Sequence, residues 1–239
     1  MELTLEEEKR YVRQIHLKAI DFEGQERLKS SRMLIVGLGG LGCAAAQYLA
    51  TAGVGHLTLL DFDTVSLSNL QRQVLHDDSR LGMEKVRSAE QSLRKLNPHI
   101  HLTSIHQHAD DALMQKLISE VDVVLDCSDN LTTRNQLDKL CQQCKVPLVS
   151  GAAIRMEGLI STFTYEENTP TYHSLSQFFG EVGQSCVETG VLAPIVGIIG
   201  SMQALEAIKV CLKIGKTLCG RVLLIDGLSM TIREMQLPV

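Results

Sequence analysis

Four polar side chains could act together on a phosphate-bearing ligand: Asn69, Arg72, Lys85 and Asp129. Arginine grips phosphate oxygens through two parallel N–H donors, and lysine supplies a point charge. Mg²⁺ is held by one or two carboxylates together with substrate phosphates, which is a role that an aspartate can fill. A lone arginine or lysine is most often a solvated surface residue. The set of four therefore indicates a magnesium-bound triphosphate only if the fold brings the side chains together.

The elements that must position this set begin at a glycine-rich stretch. The apolar run 33–36 predicts a buried parallel strand, and a helix is predicted over 41–52. Gly37 between them is expected to make a tight turn. Gly39 and Gly40 are expected to let backbone N–H groups approach a phosphate, because no Cβ blocks the way. The start of the helix carries partial positive charge, so this turn favours an anion.

A second strand is predicted over 56–60, and it ends at Asp61. This acid follows the glycines by the roughly 20 residues expected of a carboxylate that binds ribose hydroxyls. Gly42 is expected to let the intervening helix pack closely on the first strand. A tight turn in an ordinary α/β protein is the alternative interpretation. The order of strand, glycines, helix, strand and acid favours a nucleotide site.

The rest of the chain predicts more strands and helices of the same kind. The predicted elements are a helix from Leu5 behind a Thr4–Glu7 capping box, helices over 82–96, 110–119, 131–143 and 194–212, and strands over 101–106, 121–125, 146–153, 158–165, 221–225 and 230–235. The last two strands are predicted to form an antiparallel hairpin around Gly227. The predicted fold class is α/β, a Rossmann-like doubly wound sheet that is parallel in its first half and mixed with antiparallel strands in its second.

Composition limits the classes of protein and partner. The chain has 239 residues, of which 44% are hydrophobic and 21% charged, as in ordinary soluble proteins. Its net charge of −5 argues against a nucleic-acid binder. The longest apolar stretch, 190–200, is too short to span a bilayer, so no membrane partner is expected. The acidic start lacks the features of a signal peptide, and seven scattered cysteines indicate the reducing cytoplasm.

A dinucleotide-dependent dehydrogenase would use the same first half. Hydride transfer needs neither a metal nor so many charges, so the set of four disfavours that alternative. In an open α/β sheet, the regions that follow strand ends converge on the ligand crevice. All four side chains lie in or just after such regions.

Several motifs resemble the adenylating domain of the ubiquitin-activating superfamily. They are the glycine run, residues 60–63 (Leu-Asp-Phe-Asp), residues 68–73 (Ser-Asn-Leu-Gln-Arg-Gln), Lys85, and residues 126–130 (Asp-Cys-Ser-Asp-Asn). Residues 10–14 (Arg-Tyr-Val-Arg-Gln) and 150–158 are more similar to the bacterial MoeB/ThiF branch, and most of all to its MoeB members. The resemblance covers nearly the whole chain, so residues 1–239 are expected to form a single ATP-binding adenylating domain, with N-terminal helices over about 4–30 and a crossover loop over about 166–189.

This resemblance implies a reaction and a set of site residues. A ubiquitin-like sulfur-carrier protein inserts its C-terminal Gly-Gly tail, and its carboxylate attacks the α-phosphate of Mg-ATP to give an acyl-adenylate and pyrophosphate. The implied nucleotide-binding residues are Gly37, Gly39, Gly40, Gly42, Asp61, Asp63, Ser68, Asn69, Gln71, Arg72, Lys85, Asp129 and Asn130. Asn69, Arg72 and Lys85 are expected to stabilise charge as pyrophosphate leaves, and Asp129 to hold Mg²⁺.

The resemblance also implies partners. Arg13 is expected to reach the site of a second subunit, so a homodimer is implied. The carrier is expected to be of the type of the molybdopterin-synthase small subunit, which would place the chain in molybdenum-cofactor biosynthesis. A thiamine-pathway carrier, and an ATP-binding protein that docks a carrier without chemistry, remain alternatives. Arg134 and Arg155 are only candidates for gripping the carrier tail.

The chain departs from the family at its cysteines. Most relatives carry two CxxC pairs that bind zinc, but the first pair is replaced here by Thr171–Ser174, and the sequence ends before the second. No zinc site is therefore expected, since structural zinc needs about four such ligands. The pair Cys141 and Cys144 is predicted to be packing in a helix. Cys186, in the crossover loop, falls where the superfamily has a thioester cysteine and is a candidate reactive thiol. The resemblance to the MoeB branch implies that adenylation does not require it.

Overall fold

A computed structural model describes residues 1–178 and 190–238 of the chain. Within these residues, eight strands form one sheet: β1 (Arg32–Val36), β2 (His56–Leu60), β3 (His101–Ile105), β4 (Val123–Asp126), β5 (Leu148–Ile154), β6 (Glu157–Phe163), β7 (Arg221–Asp226) and β8 (Thr231–Gln236). Their order across the sheet is β3-β2-β1-β4-β5-β6-β7-β8. The first five strands in this order are parallel. The last three run antiparallel to their neighbours, so the predicted mixed sheet is confirmed.

Helices cover both faces of the sheet. In the described residues they are α1 (Leu5–Ile15), α2 (Asp21–Ser30), α3 (Gly40–Ala52), α4 (Lys85–Leu96), α5 (Asp111–Ser119), α6 (Leu131–Cys144), α7 (Tyr172–Ser176) and α8 (Ala193–Leu212). Apolar side chains of α2, α3, α4 and α8 form one core with the sheet. Those of α5, α6 and α7 form a second core on the other face. This is the layering of a doubly wound fold.

Local sequence signals explain where the helices begin. Thr4 caps α1, with its side chain accepting from the Glu7 N–H and the Glu7 carboxylate accepting from the Thr4 N–H, so the predicted capping box is confirmed. Asp110 caps α5 and Asn130 caps α6 in the same manner. A left-handed Gly53 ends α3. Asp110 and Asn130 lie in the loops that follow β3 and β4, so these two caps fix loops at the carboxyl ends of strands.

Two predicted boundaries are wrong for physical reasons. The helix predicted from Gly82 begins at Lys85, because Gly82 has a φ of +80° and Glu84 pairs with Thr64 in an isolated bridge. The stretch expected to be loop from 166 contains α7, a single helical turn. The hairpin predicted around Gly227 is confirmed, since β7 and β8 pair antiparallel. Most other boundaries differ from the prediction by one or two residues.

One helix of the described residues, α8, is long and apolar enough to cross a membrane by length and composition. It packs instead as a core helix, and half of its most apolar window is buried. Its buried side chains, such as Ile195 and Ile199, belong to the same core as α3 and the sheet. The cysteine pair lies in a core as predicted: Cys141 is buried on α6, and Cys144 packs against the same cluster.

Candidate active site

A large open cavity of about 1050 Å³ lies along the carboxyl ends of the parallel strands. It is bordered by the glycine turn after β1, the ends of β2 and β4, and residues of β5. It continues along one face of the antiparallel strands, where Leu224, Thr231 and Arg233 line it. The cavity therefore joins the two halves of the sheet, and its position is where open α/β sheets bind ligands.

Close approaches explain most of the glycines in the turn. Gly37 has a φ of +92°, and a Cβ there would lie 2.8 Å from the carbonyl oxygen of Cys127. A Cβ on Gly42 would lie 1.9 Å from the carbonyl oxygen of Gly37, so this helix residue packs on the turn rather than on the strand. A Cβ on Gly40 would lie 2.7 Å from Val196 on α8. Gly39 is the exception, because it is open toward the cavity.

Three helices begin at the cavity wall. Their first residues are Gly40 in α3, Lys85 in α4 and Leu131 in α6, and all three line the cavity. The first N–H groups of a helix have no partner within it, and its N-terminus carries about half a positive charge. Three such ends around one space make a strongly anion-attracting site, as the predicted phosphate binding requires.

Asp61 lies at the end of β2 and is held in place by backbone groups. Its Oδ2 accepts the N–H of Leu38 at 2.6 Å, and its Oδ1 accepts the N–H of Asp63 at 2.8 Å. Burial raises the pKa of the Asp61 carboxyl, while the nearby charge of Lys85 lowers it. Each oxygen keeps a further lone pair for a ligand hydroxyl. The carboxylate thus borders the cavity, as expected of a group that binds ribose hydroxyls.

The cationic and amide residues predicted to act together do converge on the cavity. Lys85 is buried, and its Nζ lies 2.7 Å from Oδ2 of Asp63, whose side chain is half exposed. Arg72 donates from Nη1 to the carbonyl of Ser68 at 3.1 Å, which keeps its guanidinium at the cavity wall. Asn69 also lines the cavity, and its Oδ1 accepts from the Ser66 N–H at 3.2 Å.

Asp129 differs from the other acids at this site. It is exposed, lines the cavity and has no hydrogen bond or ion pair to any residue that the structure describes. Asn130 beside it is used by the fold, since its side chain caps α6 at the Thr133 N–H. No group of three or more His, Cys, Asp or Glu residues that could hold a metal occurs in the described part of the chain. One free carboxylate facing an anion site fits Mg²⁺, which takes its other ligands from phosphates and water.

Some predicted residues lie elsewhere. Ser68 and Gln71 are exposed and do not line the cavity; Ser68 contributes through its backbone by accepting from Arg72. Gly42 lies behind the turn. Arg13 is exposed on α1 and does not line the cavity of its own chain. Cys186 lies outside the described residues, so its prediction stays a prediction.

The two candidate arginines for the carrier tail have different surroundings. Arg134 borders the cavity but is buried, and its Nη2 donates to the carbonyls of Ser128 and Gly151 at 2.7 and 3.0 Å. Its guanidinium also faces Asp126 at 3.8 Å. Arg155 is exposed in the turn between β5 and β6 and does not line the cavity. Arg134 therefore braces the loop after β4, and its Nη2 donors are already committed.

Among the cavity residues that sequence reasoning missed, one lies beside the glycine turn. Gln73 is buried and lines the cavity beside Gly39, and its Oε1 has no hydrogen-bond partner among the described residues. An orphaned buried acceptor is costly unless a ligand or water satisfies it. Its position next to Arg72 in the motif 68–73 was the available signal.

The sequence model of the ThiF family matches residues 11–239. The chain belongs to the ThiF family. Among its relatives, the molybdopterin-synthase adenylyltransferase of Haemophilus influenzae is 66% identical over 238 residues, which cover 100% of this chain and 98% of the relative. The enzyme of the same name from Escherichia coli is 58% identical over 236 residues, which cover 99% and 95%.

A more distant relative matches in sequence, and two solved structures share the fold. The adenylyltransferase and sulfurtransferase MOCS3 of Drosophila yakuba is 46% identical over 98% of the chain, which spans 52% of that protein. PaaA superimposes with a TM-score of 0.85 at 24% identity, over 99% of this chain and 75% of that one. Escherichia coli MccB with ATP gives a TM-score of 0.82 at 22% identity, over 96% and 71%. At these identities the structural likeness shows the fold alone.

Proposed function

We propose that this ThiF-family protein adenylates the C-terminal carboxylate of a ubiquitin-like sulfur-carrier protein, using ATP and releasing pyrophosphate. The observation that carries the proposal is the continuity of one cavity from an anion site with three helix N-termini to an open face of the antiparallel strands. The names of the full-length relatives, molybdopterin-synthase adenylyltransferases, support a carrier of the molybdopterin-synthase type. The chain would then serve molybdenum-cofactor biosynthesis.

The residues at the parallel end would bind and orient ATP. The Gly39 N–H and the start of α3 would face the phosphates, and Asp61 would accept from the ribose hydroxyls. The carrier's terminal carboxylate then attacks the α-phosphorus; the bond to the carboxylate oxygen forms as the bond to pyrophosphate breaks. Arg72 and Lys85 would stabilise the charge that builds on the leaving pyrophosphate. No nucleophile of the protein is needed, so catalysis depends on placement and charge.

Mg²⁺ would be held by Asp129 together with phosphate oxygens, and when bound it neutralises phosphate charge. Lys85 would also neutralise phosphate charge after its ammonium group separates from Asp63. The Asp63 carboxylate is half exposed to water, so breaking this ion pair costs little free energy. A zinc ion has no expected role, and the absence of a zinc site stays a prediction.

The carrier would dock on the antiparallel half. All six residues of β8 are exposed, and alternate side chains of this strand, Thr231 and Arg233, line the cavity. The hairpin turn adds two apolar side chains, Leu228 and Met230, which are 78% and 79% exposed. Exposed apolar groups beside a ligand cavity are typical of a protein-docking surface. The carrier tail would pass from this surface toward the phosphates.

A homodimer would complete the site. Arg13 is exposed on α1 and does not line the cavity of its own chain, so it could reach only the site of a second copy. The exposed apolar residues Ile198 and Leu205 on α8 support a second copy as the surface that covers them. Mixing two inactive variants, Arg13→Ala and Lys85→Ala, tests this idea. Shared sites predict recovery of about a quarter of wild-type activity by random reassortment, whereas no recovery would contradict them.

The function is tested by mass spectrometry of candidate carriers incubated with the protein, ATP and Mg²⁺. The proposal predicts a carrier–AMP adduct with a carrier of the molybdopterin-synthase type that ends in Gly-Gly. An adduct only with a thiamine-pathway carrier would move the substrate to that pathway. ATP binding and carrier binding without any adduct would support the non-catalytic docking alternative instead.

A cytoplasmic location remains proposed; the six cysteines within the described residues are all free thiols, as that compartment favours.

A further inference from the structure

A buried histidine, His76, lies directly behind the glycine turn and plays no part in the reaction described above. It is 7% exposed and does not line the cavity. Its Nδ1 lies 2.9 Å from Oγ of Ser88 on α4. Its Nε2 lies 3.2 Å from the carbonyl oxygen of Leu38, the residue between Gly37 and Gly39. The Cys43 thiol is a second neighbour: its Sγ lies 3.7 Å from Nε2 and donates to the same carbonyl at 3.4 Å. The ring therefore bridges α4 and the turn that faces the phosphates.

The partners of His76 determine where its proton is. Arg80 is buried, has donors only, and donates to the Ser88 carbonyl at 2.6 Å and to the Ser88 Oγ at 3.3 Å. The Ser88 hydroxyl accepts from Arg80, so its own proton is available to His76 Nδ1. The Leu38 carbonyl can only accept, so its 3.2 Å contact with Nε2 is a hydrogen bond only in the tautomer that carries the proton on Nε2. The Cys43 thiol, 3.7 Å from Nε2, is the longer and weaker contact of that nitrogen. Burial lowers the pKa of His76, which keeps the ring neutral in this tautomer.

The Leu38 peptide transmits this constraint to the cavity. The Leu38 N–H donates to Asp61 Oδ2 at 2.6 Å, and its C=O accepts from His76. In a planar trans peptide the C=O and the N–H point in opposite directions. Fixing the Leu38 C=O toward the buried ring therefore turns the Gly39 N–H away from it. That N–H makes no hydrogen bond within the described residues, and Gly39 lines the cavity.

We propose that His76 is a positioning residue for the nucleotide phosphates: its Nε2–H holds the Leu38 carbonyl inward and thereby points the Gly39 N–H into the cavity. The proposal rests on the proposed function, because it assumes that ATP phosphates occupy this site. Arg80 and Ser88 act further back, by fixing the tautomer. A chain of hydrogen bonds thus runs from Arg80 through Ser88 and His76 to the Leu38 carbonyl, and each group donates to the next.

Two substitutions of His76 separate its contacts. In His76→Gln the amide nitrogen takes the place of Nε2 and can still donate to the Leu38 carbonyl. In His76→Asn the amide takes the place of Nδ1, so it can face Ser88 but cannot reach Leu38. His56 offers a matched control, since it lies at the amino end of β2, away from the cavity, and bonds to Thr103 at 2.8 Å.

Calorimetric titration with Mg-ATP gives the first readout. His76→Asn should weaken ATP binding about fivefold, the loss of one positioned hydrogen bond. His76→Gln and His56→Asn should stay within about twofold of wild type. When carrier-dependent exchange of radiolabelled pyrophosphate into ATP is measured, His76→Asn should raise the KM for ATP and leave kcat nearly unchanged. Equal affinities of the His76→Asn and His76→Gln variants would overturn the proposal, whereas absence of ATP binding by the wild type would overturn the proposed function.

Imidazole nitrogen NMR of the wild-type protein gives a readout that does not depend on any variant folding. The proposal requires the Nε2–H tautomer for His76. An Nδ1–H tautomer, or a doubly protonated ring at neutral pH, would contradict the proposal.

Discussion

The two halves of the sheet are built for different partners. Around β1 and β2 two parts of the cavity wall are already held in place: Asp61 by two backbone N–H groups, and the glycine turn by His76. Four of the five residues of β1 are buried. At the other edge, every residue of β8 is exposed, and its cavity-lining side chains face open space.

This difference follows from the size of the partner. A nucleotide offers few contacts, so its site must be organised in advance, because ordering side chains on binding costs free energy. A folded carrier brings a large surface of its own and can cover exposed strand residues. We therefore expect substitutions in the parallel half to change chemistry and stability, and substitutions at β8 to change carrier recognition alone.

Replacing Lys85 should produce the largest effect and tests the parallel half as the catalytic one. Lys85→Ala removes the buried cation at the cavity wall, so the rate of carrier-adenylate formation should fall about 100-fold to 1,000-fold. Arg87→Ala, two residues along the same helix at a site whose side chain is 57% exposed, is the control and should act like wild type. Equal rates for the two variants would remove Lys85 from the mechanism.

A methyl group in the glycine turn tests how tightly the parallel half is packed. A Cβ on Gly42 would lie 1.9 Å from the Gly37 carbonyl oxygen, so Gly42→Ala should lower the free energy of unfolding by about 2–3 kcal/mol. A Cβ on Gly197, inside α8, would have open space around it, so Gly197→Ala should stabilise the fold by about 0.5–1 kcal/mol. Urea denaturation of both variants measures this; a stable Gly42→Ala would contradict the close packing.

Two adjacent residues of β8 test whether the antiparallel half recognises the carrier and has no part in ATP binding. Arg233 lines the cavity, whereas Ile232 projects from the opposite face and is 62% exposed. Arg233→Ala should raise the KM for the carrier about fivefold to tenfold and leave ATP affinity unchanged. Ile232→Ala is the matched control and should leave both constants unchanged. A fall in ATP affinity for Arg233→Ala would mean that the two halves do not divide the work in this manner.

The smallest effect concerns α1, the helix that carries Arg13. Burial alone raises the pKa of Glu7, but Lys29 at 2.7 Å and the Thr4 cap outweigh it and leave this pKa below its ordinary value. Such a carboxylate stabilises the fold above its unfolded pKa, and the benefit is lost as the pH falls through the lowered value. Glu7→Gln should therefore cost about 1–2 kcal/mol at pH 7.

The same variant predicts a pH dependence. The stability difference between wild type and Glu7→Gln should be full above about pH 4.3, the ordinary pKa of a glutamate in the unfolded chain. It should shrink as the pH falls from there through the lowered pKa of the folded state. Glu8→Gln, on the less buried side of the same turn, is the control and should change stability little. Thermal melts of wild type and both variants from about pH 3 to pH 7 measure this stability difference. A difference that does not change with pH would contradict the ion pair of Glu7 with Lys29 as the cause of the stabilisation.

Sequence patterns predicted the parts of the molecule that depend on local signals. The capping box at Thr4, the tight turn at Gly37 and the acid at the end of β2 each follow from residues close in sequence. The convergence of Lys85 and Asp129 was also predictable, because parallel strands end at one edge of a sheet. These signals gave the family as well, through motifs that lie at the strand ends.

Contacts between distant segments were not predictable in this way. His76 has the sequence surroundings of an ordinary loop residue, and only the fold places it against Leu38, which lies 38 positions away. The orphaned oxygen of Gln73 and the committed guanidinium of Arg134 likewise depend on tertiary packing. That Ser68 and Gln71 face solvent also depends on tertiary packing, since a motif does not say which of its side chains face the cavity.

Carrier-dependent exchange of radiolabelled pyrophosphate into ATP tests the central claim most directly, since exchange requires reversible formation of the acyl-adenylate. With a ubiquitin-like carrier that ends in Gly-Gly, the account predicts rapid exchange that disappears when the two glycines are removed from the carrier. Exchange that does not depend on the tail, or a protein that binds ATP and intact carrier yet catalyses no exchange, would contradict it.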